Sequence, residues 1–185
     1  MVYIQSVDRL IHVLNPVSAE QDSDAAVALL LKHSTEDFEV LFVKRVENPD
    51  DPWSGQTAFP GGKRSREDQD LKQTVVRETL EETNINLADH SRFLGAMTAL
   101  TSTQRPGMKI LPFVVILDRD PLIKLNRNEL RSFVWISLKE LLKSHDTIRF
   151  DFGEVPAYII GDTTIWGLTY RILREFERLI SRSTT

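Results

Sequence analysis

The stretch Phe59-Pro60-Gly61-Gly62-Lys63, continued by Arg77-Glu78-Thr79-Leu80-Glu81-Glu82-Thr83-Asn84-Ile85, governs the reading of the whole chain. Glu78, Glu81 and Glu82 stand at i, i+3 and i+4. On a helix turning about 100° per residue they share roughly one 100° arc. Like charges at that spacing repel by a few tenths of a kcal/mol per pair. The trio also falls near the expected helix C-terminus, where the helix dipole disfavours negative charge. A bound divalent cation would remove both penalties, because hard cations take carboxylate oxygens. The plainer alternative is a solvated acidic face partnered by Arg77 and nearby lysines.

The residues upstream weigh against that alternative. Pro60-Gly61-Gly62 is expected to break any regular element and to let backbone approach backbone or ligand closely. A helix is expected to begin near Asp68-Gln69-Asp70 and to run from about 69 to 83. Leu71 and Val75 precede the carboxylates on their face, while Val76, Leu80 and Thr83 lie opposite. That distribution predicts a helix clamped between two layers.

This arrangement resembles the Nudix box: glycine, five residues, glutamate, seven residues, then Arg-Glu-aliphatic-any-Glu-Glu-any-Gly-aliphatic. Five residues separate Gly62 from Asp68, where the pattern has glutamate, and eight precede Arg77. Thr79 stands for the aliphatic residue and Asn84 for the glycine, while Ile85 fits. Asn is the mildest such exchange, since it tolerates left-handed backbone. The longer spacing with aspartate is similar to the coenzyme A diphosphatase branch. Upstream, Leu41-Phe42-Val43-Lys44-Arg45, Gly55 and Phe59-Pro60-Gly61-Gly62 resemble that branch's signature. Its second arginine is absent: Pro49-Asp50-Asp51-Pro52 occupies the region, with one residue more. Leu111-Pro112-Phe113-Val114 and Ile165-Trp166-Gly167-Leu168-Thr169 also look like that branch.

The resemblance implies a fold and a set of roles. The fold is an α/β/α sandwich with a mixed sheet and a catalytic loop-helix-loop, with residues 1–185 as one domain. The activity implied is hydrolysis of a diphosphate linkage. Mg²⁺ or Mn²⁺ would stabilise the developing charge while water attacks one phosphorus. Glu78 and Glu82 would ligate the metal, with Glu81 as third ligand or water-orienting base. Gly62 would offer backbone near the metal, and Arg77 would hold the glutamates by ion pairs. A glutamate outside the box serves as base in several branches. Glu129, just before Phe133-Val134-Trp135-Ile136, is the candidate here, with Glu140 and Glu154 weaker. Arg45, Arg105 and Lys109 are the cationic candidates for a substrate phosphate. Coenzyme A or an acyl derivative is the first substrate implied, ADP-ribose or another nucleotide sugar the second.

Composition narrows the alternatives. With 185 residues, 41% of them hydrophobic, the chain is long enough for one domain with a sizeable core. A net charge of −4 with interleaved signs gives no basic patch for nucleic acid. The absence of cysteine excludes disulfides, thiolate metal sites and a cysteine nucleophile. No signal-peptide pattern opens the chain and no apolar run approaches a membrane span. A cytoplasmic location, as monomer or homodimer, is the expectation. His12, His33, His90 and His145 are scattered without ligand spacing. Gly61-Gly62 lacks the ending of a P-loop, and no nucleophile elbow occurs.

Periodicity supplies the remaining elements. Ser6–Leu14 reads as a short amphipathic helix burying Val7, Leu10, Ile11 and Leu14. Residues 25–33 read as a central strand buried on both faces, paired as a hairpin with 38–46. Trp53, in the turn-rich loop 47–55, is either a lid on the core or a holder of an apolar or adenine group. Strands follow at 56–59, 93–100, 110–117, 131–136, 147–152 and 157–160. Ser137 caps a short helix, and an amphipathic helix over 166–180 closes the chain. A metabolite-binding module without turnover, or a purely structural protein, are the rival functions.

Overall fold

The protein is described by a computed structural model that covers residues 7, 9–18, 22–35 and 37–183. Part of the expected Ser6–Leu14 helix lies outside the described residues. Within them, Leu10–His12 form one 3-10 turn. Val7, Leu10 and Leu14 are buried, but Ile11 is half exposed, because the tighter turn does not keep all four on one face.

The central strand β1 (Ala25–His33) pairs antiparallel with β2 (Phe38–Arg45) and parallel with β7 (Lys109–Leu117). The sheet is therefore mixed. Its spatial order is β3-β2-β1-β7-β5, where β3 is Thr57–Ala58 and β5 is Ser91–Ala96. Three further strands join it. β4 (Gly61–Lys63) lies on β1, β6 (Leu100–Thr101) on β7, and β8 (Leu130–Ser137) on β2. A second sheet runs β11-β10-β9, from Thr163–Trp166, Gly153–Ile160 and His145–Phe150.

The apolar run of β1 divides by alternation. Leu29 and Leu31 enter one core, with Ile172, Leu173 and Phe176 of the closing helix α3 (Gly167–Ser183). Ala26, Ala28 and Leu30 enter the other, with Leu71 and Val75 of helix α1 (Leu71–Thr83). Helices thus cover both faces, as expected. The short helix α2 (Leu138–Leu141) is capped by Ser137, and Asp37 Oδ2 also accepts the Lys139 amide at 2.7 Å.

Three expectations need correction. Gly61-Gly62 do not interrupt regular structure: they form β4, because the absence of side chains lets this segment lie against β1. Leu80 is 42% exposed, so α1 is not clamped on two sides. It buries one stripe, Leu71, Thr74, Val75, Thr79, Glu82 and Thr83, with Val76 partly buried against the same core as Leu71 and Val75, so that of the residues expected opposite only Leu80 meets water. The strand expected at 93–100 is split into β5 and β6, and β11 precedes the closing helix.

Candidate active site

The site begins where β4 meets β1, in the register Ala26↔Gly62 and Val27↔Gly61. Gly61 has φ +140°, and a Cβ there would lie 2.3 Å from the Ala26 carbonyl oxygen. Only glycine fits so close to a neighbouring backbone in that conformation. The approach turns the Gly61 amide toward α1, where it donates to Glu82 Oε2 at 2.9 Å. At Gly62 a Cβ would lie 2.3 Å from Glu78 Oε2. The Glu78 carboxylate therefore rests directly on the glycine.

Helix α1 starts at Asp70, whose side chain accepts the Gln73 amide at 2.7 Å. It ends at Asn84, in left-handed conformation with φ 62°, whose amide donates to Leu80 O. The exchange of asparagine for glycine is accommodated in the way its side chain permits. Between these caps, Glu78 and Glu82 lie over the stripe led by Leu71 and Val75, so both are carried inward. Glu81 lies at the edge, with its side chain 56% exposed.

Arg77 ties the loop to the helix. Its Nε and Nη2 donate to the two carboxylate oxygens of Asp68 at 3.0 and 2.9 Å, a fork-to-fork pair. Nη2 also donates to Lys63 O at 3.1 Å. Nη1 reaches Glu78 Oε1 at 2.8 Å and Glu81 Oε2 at 3.2 Å. Asp68 is buried and further accepts the Ser65 amide and the Thr74 hydroxyl. The Arg77 guanidinium, with those two donors, holds the Asp68 carboxyl well below the usual carboxylate range despite burial. The Asp68 partnership in turn holds Arg77 firmly protonated. Asp68 is thus an anchor for Arg77, a role its place in the sequence pattern left open.

Glu82 is 3% exposed. Burial pushes its carboxyl up to about 8. The Gly61 amide and Arg45 oppose that rise, and the Glu78 and Glu129 charges add to it. Burial also raises Glu78, against the pull of Arg77, with Glu81 and Glu129 adding to the rise. Glu129 is carried here by its loop. Lys124 and Asn126 donate their amides to Thr83 O and Glu82 O at the end of α1, both at 2.9 Å. Asn126 Nδ2 then donates to Glu129 Oε1 at 2.9 Å.

These groups open into a cavity of about 330 Å³. Glu78, Glu82, Glu129, Gly61, Gly62, Arg45, Trp53 and Arg105 all line it. Arg45 sends Nε and Nη2 to Asp51 Oδ2 at 2.8 and 2.7 Å, while its Nη1 lies 4.0 Å from Glu82 Oε1. The Arg105 guanidinium lies 5.1 Å from the Trp53 ring centre. Met108, Ile110, Leu168 and Ile172 form an apolar wall. Sequence reading missed Asp51, Lys63, Asn126 and that wall. The pairing of wall residues from β7 with residues from α3 is tertiary and leaves no local signal.

Two expected residues stand apart. Glu81 does not line the cavity, because Arg77 holds it at the helix edge. Lys109 does not line it either: its Nζ pairs with Asp22 at 2.9 Å. Among the described residues, no three acidic or imidazole side chains converge into a closed metal cage. Arg77 draws on Glu78 and Glu81, and the Gly61 amide holds one oxygen of Glu82. The donor set nevertheless suits a hard divalent cation. Buried Glu82 and partly buried Glu78, both pushed toward protonation by burial and by neighbouring carboxylate charges, face a cavity beside side-chain-free backbone. A cation between them would relieve both pressures.

Comparison with known proteins follows the same lines. The sequence profile of the NUDIX domain matches residues 22–154. An uncharacterised protein of Schizosaccharomyces pombe is 41% identical over 108 residues, covering 56% of this chain and 33% of its own length. The peroxisomal coenzyme A diphosphatase ndx-8 of Caenorhabditis elegans is 33% identical over 144 residues, 74% of this chain and 58% of its own. The matches thus span a third of the first relative and less than two thirds of the second. The NUDIX domain of Shewanella oneidensis NrtR, solved in complex with ADP ribose, shares the fold. Its TM-score is 0.56, at 15% identity, over 91% of this chain and 94% of that one. No described helix is long and apolar enough to cross a membrane.

Proposed function

Since this chain belongs to the Nudix family, we propose that residues 1–185 act as a single metal-dependent hydrolase domain cutting the diphosphate linkage of a nucleoside diphosphate derivative. Coenzyme A or an acyl derivative is the first substrate proposed, supported by the likeness to ndx-8. ADP-ribose or another nucleotide sugar is the second, supported by Asp50-Asp51 in the region where the coenzyme A signature has its second arginine. One observation carries the reading. Glu82 and Glu78 face the same cavity as Glu129 and two arginines, over a floor made of Gly61 and Gly62.

Glu78 and Glu82, with backbone of Gly62, would hold Mg²⁺ or Mn²⁺. Such an ion, when bound, supplies charge neutralisation on the diphosphate and a water of lowered pKa. The chain does the rest. Arg77, anchored by Asp68, holds Glu78 in place and keeps Glu81 nearby as a reserve carboxylate. Glu129, oriented by Asn126, takes the proton of the attacking water. Arg45 and Arg105 face the diphosphate oxygens, and Trp53 offers its ring to a base or apolar arm.

Mass spectrometry of products from coenzyme A and from ADP-ribose, cut in ¹⁸O water with Mg²⁺ or Mn²⁺, tests the proposal. It predicts one ¹⁸O on one phosphorus of the cleaved linkage. Absence of any cleavage across a diphosphate panel, with ligand binding retained, would favour a binding module instead.

A further inference from the structure

Asp51 is fixed at the cavity wall by three contacts. Its Oδ2 takes both Nε and Nη2 of Arg45, and its Oδ1 accepts the Trp53 amide at 3.0 Å. The side chain of Asp51 is largely shielded from solvent, as is that of Arg45. The guanidinium fork that would otherwise grip a phosphate is therefore already filled by a carboxylate. Arg45 links Asp51 to Glu82, both of which line the cavity, with Nη1 4.0 Å from Glu82 Oε1. Trp53 is tied to Asp51 by its backbone amide, lines the same cavity, and has the Arg105 guanidinium 5.1 Å from its ring centre.

The chain of contacts from Trp53 through Asp51 and Arg45 to Glu82 parallels the order of groups in a nucleoside diphosphate. A base against Trp53 brings its ribose to Asp51 and its diphosphate to the Arg45–Glu82 end. A fixed carboxylate accepts hydrogen bonds from ribose hydroxyls, whereas a ribose phosphate would meet it as a like charge. Arg45 is already paired with Asp51, so its Nε–Nη2 edge is not open to an additional phosphomonoester.

We infer that Asp51 sets the specificity of this cavity, selecting diphosphates whose ribose carries free hydroxyls over those whose ribose is phosphorylated. The inference rests on the diphosphatase reading and narrows it. Within the coenzyme A class it names the 3′-dephospho form as the better substrate. Within the ADP-ribose class it names the form without a 2′-phosphate.

Steady-state kinetics on two matched pairs test it, each pair differing by one phosphate: coenzyme A against 3′-dephospho-coenzyme A, and 2′-phospho-ADP-ribose against ADP-ribose. The expected kcat/KM favours the unphosphorylated ribose about tenfold, the worth of one partly screened like-charge contact. Asp51→Asn, which keeps an acceptor for the Trp53 amide, should shrink that preference and release Arg45 to the phosphorylated form. Equal or reversed preference in the wild type overturns the inference and leaves the diphosphatase reading standing. If neither pair is cleaved, the diphosphatase reading fails, and calorimetric affinities for the same four compounds still decide the role of Asp51. A preference for free hydroxyls that Asp51→Asn removes supports it, and equal affinities overturn it.

Discussion

Glu82 Oε2 accepts the backbone N–H of Gly61 at 2.9 Å, joining the last turn of α1 to the strand laid on β1. A buried carboxylate is expensive to ionise, and one amide donor offsets only part of that cost. The remainder appears as a carboxyl pushed up from 4.5 to about 8.

That shift has a signed consequence for stability. Between the two values the folded state keeps a proton that the unfolded chain has released. The contribution is therefore fully present below about 4.5 and is lost as pH rises through about 8. Burial raises Glu78 in the same direction. The metal-free protein should melt at falling temperature from about pH 5 to about pH 8, and Mg²⁺ or Mn²⁺ should restore the loss at the alkaline end. Glu82→Gln should flatten the profile and abolish turnover. Scanning calorimetry across pH, with and without the ion, measures both effects.

The Asp68–Arg77 fork predicts a coupled loss. Asp68→Ala leaves Arg77 without its bidentate partner while Arg77 still touches Glu78 and Glu81. Stability should fall by about 2 kcal/mol, short of a fully buried pair because Arg77 is partly exposed. The native Asp68 contribution has the opposite pH sign to that of Glu82. Its carboxyl lies below the ordinary range, so its stabilisation is present above that range and lost as pH falls toward acid. Urea unfolding of both proteins at neutral and acid pH should show the difference between them shrinking in acid.

The adjacent glycines should fail in different ways. Gly61→Ala drives a Cβ into backbone of β1, at φ +140°, and should cost about 3 kcal/mol of stability. At Gly62→Ala the nearest atoms to the new Cβ are those of the movable Glu78 carboxylate. The fold should survive while kcat drops about 100-fold through displacement of that carboxylate. Melting temperature and kcat, measured on both variants, separate the two modes.

The two outer cations should also separate. Arg105 lines the cavity beside Trp53, whereas Lys109 pairs with Asp22 outside it. Arg105→Ala should raise KM about tenfold, near 1.4 kcal/mol, with kcat little changed. Lys109→Ala should leave both constants at their wild-type values.

Local pattern carried much of this architecture. The apolar run from Ala25 announced a strand buried on both sides, and Arg77-Glu78 with Glu81-Glu82 marked the helix that lines the cavity. What escaped reading depends on distant partners. Gly61-Gly62 looks like a breaker until β1 is there to pair with it. The helical spacing of Leu80 predicts a buried side, but the residue itself is left exposed to water. Asp68 stands where the pattern has glutamate, with no role of its own legible until the loop folds back and brings it to Arg77, nine positions on. Lys109 sits at the start of β7 with its side chain on the Asp22 side, a choice made by strand register and not by composition.

The most direct test of the central claim is anomalous diffraction from crystals soaked in Mn²⁺. An anomalous peak should appear within coordination distance of the Glu78 and Glu82 carboxylates, beside Gly62, and disappear in Glu82→Gln. A soaked wild-type crystal without a peak there, with both carboxylates still held only by Arg77 and the Gly61 amide, would contradict it.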